Sequence, residues 1–162
     1  TEVDRRLDEA GTSQHLKGRA AVAQGKLAYQ HFVAAFAGPR WKSLSARGAR
    51  VQRPLWASTS TKNPSYPDTL YVDELIGPFT VNTLPDETLE AFDDHGRLER
   101  RIDAGVDEAE RVWSELDAAG IDMGEVADKL EREGVASFQK SFVDLIAVLA
   151  ERVRSDGSNG RS

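Results

Sequence analysis

The spacing of small and aliphatic residues predicts that the N-terminal part of the chain is helical. Residues 1–11, TEVDRRLDEAG, have the composition of a helix interior. Residues 16–36 carry an apolar stripe at helical spacing, which consists of Leu16, Ala20, Ala23, Leu27 and Ala34. This second helix should stop at Gly38-Pro39, because glycine favours the left-handed conformation that ends helices and proline cannot continue one. Its small residues favour close packing against a sheet.

Two short β-rich runs follow, at residues 53–58 and 79–84. The second run, FTVNTL, contains β-branched residues, which favour extended backbone. Between the runs, Asp68 is predicted to cap a brief helix over residues 69–76 that ends at Gly77. Further short helices are predicted at residues 40–46 and 85–94. This order of elements predicts an α/β fold in which two adjacent, parallel strands are joined by a right-handed crossover.

After residue 96 the pattern predicts helices only. They cover residues 106–119, 123–133 and 135–153, and they are separated by Gly105, Gly120 and Gly134. The last helix has one apolar face with members at positions i, i+4, i+7 and i+8. This face consists of Phe138, Phe142, Leu145, Ile146, Leu149 and Val153. We interpret it as ordinary packing against the rest of the fold or a neighbouring subunit. Residues 155–162 have the Gly, Ser and Asn content of a disordered tail.

Composition and charge exclude several kinds of protein. The 162 residues include 21 Lys and Arg and 27 Asp and Glu, a formal net charge of -6, which disfavours nucleic acid and anionic membranes as partners. The absence of cysteine excludes disulfides and thiolate metal sites and fits a reducing cytoplasm. No apolar run approaches the ~20 residues of a membrane span, so we expect a cytoplasmic protein. His15, His31 and His95 lack metal-ligand spacing and are predicted to lie on helix surfaces.

The charges are segregated along the sequence. Between Glu9 and Asp68 there are nine basic residues and no acidic residue, so this stretch carries +9, while the remainder, with 12 basic and 27 acidic residues, carries -15. One interpretation is a positive field that draws anionic sugars toward the end of the first strand. The other is that Lys17, Arg19 and Lys26 solvate a helix while the loop arginines pair with the acidic C-terminal third. For these individual residues we favour the second interpretation.

Residues 54–67, PLWASTSTKNPSYP, hold the most distinctive chemistry of the chain. An apolar run breaks abruptly into hydroxyl-bearing residues, one lysine and one asparagine, which are Ser58, Thr59, Ser60, Thr61, Lys62 and Asn63. Hydroxyl groups donate hydrogen bonds to phosphate oxygens, and lysine adds a compact positive charge. The same residue types also form ordinary polar turns. Composition alone favours that simpler interpretation.

The same segment closely resembles the seventh strand and the following loop of the transaldolases. Residues 71–96, YVDELIGPFTVNTLPDETLEAFDDHG, resemble the eighth strand and its flanking helices in that family, in the same order. The resemblance implies the C-terminal portion of a (β/α)8 TIM barrel, helix-rich, with about two parallel strands and a C-terminal helical extension. A complete barrel needs about 250 residues. Residues 1–154 are therefore expected to form only the C-terminal part of such a barrel.

The resemblance also implies a reaction. Transaldolases transfer a dihydroxyacetone unit from sedoheptulose 7-phosphate to glyceraldehyde 3-phosphate in the non-oxidative pentose phosphate pathway, through a lysine Schiff base and without metal or organic cofactor. The family's Schiff-base lysine lies on the fourth strand, which would precede Thr1. A reactive lysine must be desolvated, and no lysine of this chain falls within a predicted strand. We therefore expect that the fragment alone is inactive and that its partner is the N-terminal half of the same enzyme.

Within the resemblance, Ser58 matches the family's phosphate-contacting serine. Shorter members read G-A-S-x-R here, whereas this chain reads W-A-S-T-S, so Ser60 replaces the arginine and Lys62 is expected to supply its charge. Asn82 and Thr83, at the end of the second strand, are candidates for lining the same mouth, although Asn82 could equally satisfy local backbone. Phosphorylated sugars are the expected ligands.

Two classes of function stay open on the sequence. The first is a transaldolase that needs the missing upstream half for catalysis. The second is a non-catalytic chain, either a phosphosugar-binding half barrel or a helical interaction module. The sequence also leaves homo-oligomer formation open.

Overall fold

The structure, a computed structural model, describes residues 1–159 and the side chains of residues 1–154. It divides into two compact units, of which the first is Thr1–Ile121 and the second begins at Asp122. Of the predicted disordered tail, residues 160–162 lie outside the described residues, while the backbone of residues 155–159 continues the last helix. The disorder of the tail stays a prediction.

The first unit contains most of the predicted helices. They are α1 (Glu2–Ala10), α2 (Ala20–Ala35), α3 (Pro39–Ala46), α4 (Leu70–Glu74), α5 (Asp86–His95) and α6 (Val106–Ala118). The prediction that α2 starts at Leu16 is wrong, because a 3-10 turn at Gln14–Leu16 precedes it. Gly18 then has a φ of 73°, a left-handed conformation that interrupts the helical path before Ala20.

Two strands, β1 (Leu55–Trp56) and β2 (Val81–Asn82), lie side by side and run parallel. Leu55 pairs with Val81, and Trp56 pairs with Asn82. The prediction of adjacent parallel strands is confirmed. Both strands are shorter than predicted, because Ser58 and Phe79 have φ values of 59° and 64°, which extended backbone does not allow. The first unit is therefore a helix-rich α/β structure with a two-stranded sheet, and the larger barrel stays a prediction.

The apolar core lies between helix α2 and the segments that flank the second strand. Tyr29, Leu75 and Ile102 are buried together, and Trp56 packs against them. Trp56 also donates a hydrogen bond of 3.2 Å from its indole Nε1 to the Leu75 carbonyl oxygen. A β-carbon at Gly25 would lie 2.6 Å from Leu75 Cδ2, so any other residue at this position would force the Leu75 side chain to shift. The core thus fixes the end of β1 against one face of α2.

A buried charged cluster lies on the neighbouring face of α2. Lys26 is 7% exposed, and its ammonium donates to Glu74 Oε2 and to the Ala104 carbonyl oxygen, both at 2.9 Å. Arg101 donates to Glu74 Oε1 at 2.8 Å. The interpretation of Lys26 as a solvated helix residue is wrong, because its partners are brought in from α4 and from the segment before α6. Lys26 is therefore part of the interior of the unit.

The environment of Glu74 favours its charged form. Burial alone raises the pKa of Glu74, but the hydrogen bond and charge of Lys26, followed by those of Arg101, outweigh burial and hold the pKa below its ordinary value. The other two basic residues of this stretch pair at partly exposed positions, Lys17 with Asp8 and Arg19 with Glu108. The cluster around Glu74 is thus a structural ion-pair cluster that favours the ionised Glu74 carboxyl.

The second unit consists of one long helix, α7 (Met123–Asn159). Its first turn is capped by Asp122, whose carboxylate Oδ1 accepts hydrogen bonds from the backbone N–H groups of Gly124 at 2.8 Å and Glu125 at 3.1 Å. The predicted break at Gly134 is wrong, because a single interior glycine costs only about 1 kcal/mol relative to alanine and its neighbours favour helix.

Apolar side chains are exposed along α7. Those of the predicted apolar face are Phe138, Phe142, Leu145, Ile146, Leu149 and Val153, and Phe138 is 80% exposed. Across the described residues, no helix combines the length and the hydropathy that crossing a bilayer requires.

Candidate functional site

A cavity of about 570 Å³ opens in the first unit beside the loop that leaves β1. We call residues 57–69 the β1–α4 loop. Residues of this loop form one wall of the cavity, and Gln24, Gly25 and Ala28 of α2 also line it. The volume falls in the range of small-molecule sites. The cavity is therefore large enough for a phosphorylated sugar.

The three residues predicted to bind phosphate, Ser58, Ser60 and Lys62, line this cavity together with Thr59 and Asn63 of the same loop. Their hydroxyl and ammonium groups form no hydrogen bond or ion pair with any residue that the structure describes. Ser58 and Lys62 are exposed, and Ser60 is partly buried. Two hydroxyl donors and one cationic donor are thus available on one wall. That set of donors suits a phosphate group, whose oxygens are strong acceptors.

Asn82 and Thr83 are engaged with the neighbouring strand end and are not among the residues that line the cavity. The side-chain Oδ1 of Asn82 accepts a hydrogen bond of 2.8 Å from the Thr59 hydroxyl. The backbone N–H of Thr83 donates to the Trp56 carbonyl oxygen at 3.0 Å, and its hydroxyl donates to the same oxygen at 3.3 Å. These contacts join the carboxyl ends of β1 and β2.

The β1–α4 loop is also stabilised by its own hydrogen bonds. Thr61 Oγ1 donates to the Pro67 carbonyl oxygen at 3.2 Å, and Asn63 Oδ1 accepts from the backbone N–H of Ser65 at 2.9 Å. The second bond is the local turn that asparagine commonly forms two residues ahead of itself. Different residues of this loop therefore serve two purposes. Thr61 and Asn63 form the turn contacts expected from composition, whereas Ser58, Ser60 and Lys62 provide donors that are not engaged.

Tyr66 anchors the same loop to the N-terminal helix. Its hydroxyl donates to Asp4 Oδ2 at 2.9 Å, and Asp4 Oδ1 accepts from the backbone N–H of Gly18 at 3.1 Å. A β-carbon at Gly18 would lie 3.0 Å from the Tyr66 ring, so the ring packs closely over this glycine. Burial, followed by the hydrogen bond and charge of Asp4, raises the pKa of Tyr66 to about 12. Tyr66 lines the cavity, and its hydroxyl is engaged with Asp4, which is not among the lining residues.

A second cavity, of about 380 Å³, lies along α2 and α6 and is lined by Lys26, Glu74 and Arg101. The charged atoms on its wall are already paired with one another, as are those of Arg19 and Glu108. Charges that satisfy each other are typical of a structural cluster. This cavity is therefore a weaker candidate for an anion site than the one beside β1.

Asp68 and His95 form a surface pair near the end of the β1–α4 loop. His95 Nε2 lies 2.9 Å from Asp68 Oδ1, and its Nδ1 lies 3.0 Å from Asp94 Oδ2. Hydrogen bonds to Asp68 and then to Asp94 raise the pKa of His95. The capping role predicted for Asp68 is wrong, because α4 begins after Thr69, whose hydroxyl bonds Asp73 at 2.8 Å.

All three histidines lie at exposed positions, as predicted. His15 contacts Glu115, with 2.8 Å between Nε2 and Oε2, and His31 lies on α2. The lysines occupy helices, a turn and the β1–α4 loop, and among the described residues none lies on a strand.

Sequence reasoning missed Thr59, Tyr66 and Lys26. Thr59 stands in a run of four hydroxyl residues, and nothing in that run distinguishes the one that is buried. An aromatic residue within a polar loop was the available signal for Tyr66. Lys26 has no acidic residue near it in sequence, which favoured the interpretation that its side chain is solvated. Its partner Glu74 is distant along the chain.

Comparison with known proteins adds a family match. The sequence model described as Transaldolase/Fructose-6-phosphate aldolase matches residues 2–149. A transaldolase of Frankia alni is 48% identical over 99% of this chain and 44% of the relative. A transaldolase of Acidothermus cellulolyticus is 49% identical over 96% of this chain and 43% of the relative. The chain thus spans less than half the length of these curated relatives.

Proposed function

The chain belongs to the transaldolase/fructose-6-phosphate aldolase family, and we propose that it supplies the phosphate-binding side of a transaldolase. The parent enzyme transfers a dihydroxyacetone unit from sedoheptulose 7-phosphate to glyceraldehyde 3-phosphate in the non-oxidative pentose phosphate pathway. Relatives that carry the name transaldolase match nearly the whole chain, which supports this activity. The observation that carries the proposal is the group of unengaged donors, Ser58, Ser60 and Lys62, on one cavity wall.

The position of these donors supports phosphate binding. They follow the carboxyl end of β1, and the loops at the carboxyl ends of the last two strands commonly bind substrate phosphate in (β/α)8 barrels. The serine hydroxyls donate hydrogen bonds, while Lys62 neutralises part of the phosphate charge. No acidic side chain is among the residues that line the described cavity. An anion entering there meets the positive charge of Lys62, and the Asp4 carboxylate that bonds Tyr66 is not itself part of the lining.

The catalytic lysine, on this proposal, comes from outside the chain. A Schiff-base lysine must lose its proton near neutral pH, which needs an apolar environment or a neighbouring cation. Lys62 is exposed, and the Lys26 ammonium is already engaged with the Glu74 carboxylate and the Ala104 carbonyl oxygen. We propose that the upstream half of the same enzyme carries the nucleophile and that this chain alone is inactive.

The alternative is a phosphosugar-binding chain that performs no chemistry. This alternative uses the same cavity. It differs from the first proposal only in that joining the chain to upstream sequence would not produce catalysis. The position of every described lysine off the strands favours this alternative for the chain in isolation. The two proposals are therefore distinguished by joining the chain to an upstream half.

The experiment compares this chain with a fusion in which the upstream part of the Frankia alni relative precedes it. Both proteins are incubated with fructose 6-phosphate and borohydride, digested and analysed by mass spectrometry. We expect no adduct on this chain alone, and an adduct in the upstream part of the fusion together with transaldolase activity. A reduced adduct on Lys62 would make that residue the nucleophile and overturn the division of roles. A folded fusion that binds fructose 6-phosphate without adduct or activity would favour the non-catalytic alternative.

A further inference from the structure

Two exposed residues, Ala57 and Ser58, separate the end of β1 from Thr59. The β ladder still holds at Trp56, whose carbonyl oxygen accepts from the Thr83 N–H at 3.0 Å. Ala57 and Ser58 then leave the strand, and both are exposed and line the cavity of about 570 Å³. The next residue, Thr59, also lines the cavity but is only 3% exposed. The exposed pair is thus short, and the residues on both sides of it, Trp56 and Thr59, are hydrogen-bonded to the end of β2.

Ser58 adopts a backbone conformation that needs support. Its φ of 59° is left-handed, a region that residues with a β-carbon occupy rarely because the β-carbon crowds the following carbonyl oxygen. Such conformations persist where the surrounding structure determines them, and they occur often at ligand-binding sites. Both Ser58 and Thr59 line the cavity, but the Ser58 side chain is exposed there, whereas Thr59 is buried and its hydroxyl is engaged with Asn82.

Thr59 provides that support through its side chain. Its hydroxyl lies 2.8 Å from Asn82 Oδ1 and 3.4 Å from the Thr83 carbonyl oxygen, both at the end of β2. The contact continues the pairing of the two strands beyond the backbone ladder. Because Thr59 directly follows Ser58, fixing its side chain restricts the backbone that carries the Ser58 hydroxyl.

We propose that Thr59 is a positioning residue, whose buried hydroxyl holds Ser58 in the left-handed conformation that presents the Ser58 hydroxyl to substrate phosphate. The Thr59 hydroxyl is engaged with the end of β2 and is not a donor to the ligand in this arrangement. The inference rests on the proposed function of the cavity as a phosphate site. It also assigns Asn82 a role through Thr59, as the acceptor on the neighbouring strand.

The test uses the full chain, labelled with ¹⁵N and ¹³C, and inorganic phosphate as the probe. Thr59→Val removes the hydroxyl with little change in shape, Thr59→Ser restores it, and Asn82→Ala removes its acceptor. The matched control is Thr69→Val, because Thr69 is also 3% exposed but its hydroxyl bonds Asp73 away from the cavity. For each variant the dissociation constant and the Ser58 backbone chemical shifts are measured.

We expect Thr59→Val and Asn82→Ala to weaken phosphate binding by about tenfold, since misaligning one charge-assisted hydrogen bond loses an interaction of that order. The Ser58 shifts should leave their left-handed values in both variants. Thr59→Ser and Thr69→Val should bind as the unsubstituted chain does. A merely structural role would lower the melting temperature of Thr59→Val and Thr69→Val alike without separating their phosphate affinities.

The inference is overturned if Thr59→Val and Asn82→Ala keep both the affinity and the Ser58 shifts, or if Thr69→Val loses as much affinity as Thr59→Val. Should Thr59→Val not fold, Asn82→Ala alone decides by the same two measurements. Ser58→Ala tests the proposed function separately. If Ser58→Ala binds phosphate normally, the phosphate site itself is wrong, whereas weaker binding by Ser58→Ala with normal binding by Thr59→Val contradicts only the role of Thr59.

Discussion

Two polar regions on either side of helix α2 differ in whether their charged groups have partners. On one side Lys26 is buried and paired with Glu74 and the Ala104 carbonyl oxygen. On the other side Lys62 is exposed on the wall of the larger cavity and has no partner among the described residues. A buried charge must be compensated within the fold, whereas a site for an anion needs a charge that is left uncompensated. We therefore expect Lys26 to serve stability, and we propose that Lys62 serves binding.

The largest effect expected from this comparison is on stability at Lys26. Lys26→Met removes the main partner of Glu74 and leaves a carboxylate that Arg101 alone compensates, so the free energy of unfolding should fall by about 3 kcal/mol. Denaturant unfolding of the chain measures it. Lys42→Met is the matched control, because Lys42 is exposed on α3, and should change stability by about 0.5 kcal/mol or less. Equal effects for the two variants would show that the buried pair does not stabilise the fold.

The converse effect is expected on binding at Lys62. In the fusion with an upstream half, Lys62→Ala should raise KM for fructose 6-phosphate by about one to two orders of magnitude, because a charged hydrogen bond is typically worth roughly 1.5–3 kcal/mol. Fructose, which lacks the phosphate, should be almost unaffected, and Lys42→Ala is the control. The measurement is kcat/KM for both donors. If both donors lose equally, Lys62 supports the fold or the chemistry instead of phosphate binding.

The contrast between the two lysines also shows which features of the structure can be predicted from the sequence. The parallel pairing of β1 and β2 was predictable, because strand-forming runs joined by a short helix leave one common arrangement. The shared position of Ser58, Ser60 and Lys62 followed from their closeness in sequence after one strand end. Local patterns therefore predicted the strand pairing and the candidate phosphate wall.

Features that depend on distant partners were not predictable in the same way. Lys26 contacts Glu74 and Ala104, which the fold brings in from other elements, so its own neighbours in sequence gave no sign of burial. The role of Thr59 depends on Asn82 across the strand pair. The sequence predicts a helix end at Gly134, but α7 continues through this residue. The energetic cost of one interior glycine is too small to end a helix.

A smaller effect is expected where a side chain supports the binding loop without facing the ligand. Tyr66→Phe removes the hydrogen bond to Asp4 and should lower the free energy of unfolding by about 1 kcal/mol. Because the folded-state pKa of Tyr66 is raised from 10.0 to about 12, this stabilisation is present below pH 10 and is lost as the pH rises toward 12. Unfolding between pH 9 and pH 12 measures the loss. The prediction fails if Tyr66→Phe keeps the same decline as the unsubstituted chain.

The smallest effect concerns the pH dependence of the buried pair. The folded-state pKa of Glu74 is lowered from its ordinary value of 4.5, so ionised Glu74 stabilises the fold above that pH, and the stabilisation is lost as the pH falls through the lowered pKa. Glu74 is 22% exposed and burial opposes the effect of its cationic partners, so the contribution should be modest. Glu74→Gln keeps the shape of the side chain and removes its titration, and its stability should therefore vary less between pH 6 and pH 3 than that of the unsubstituted chain. Lys62→Ala serves as the control, because removing the uncompensated lysine should leave the acid dependence unchanged. If Glu74→Gln and the unsubstituted chain lose stability in parallel on acidification, then Lys26 does not hold Glu74 in its charged form. The contrast between Lys26, which has a partner, and Lys62, which has none among the described residues, would then rest on burial alone.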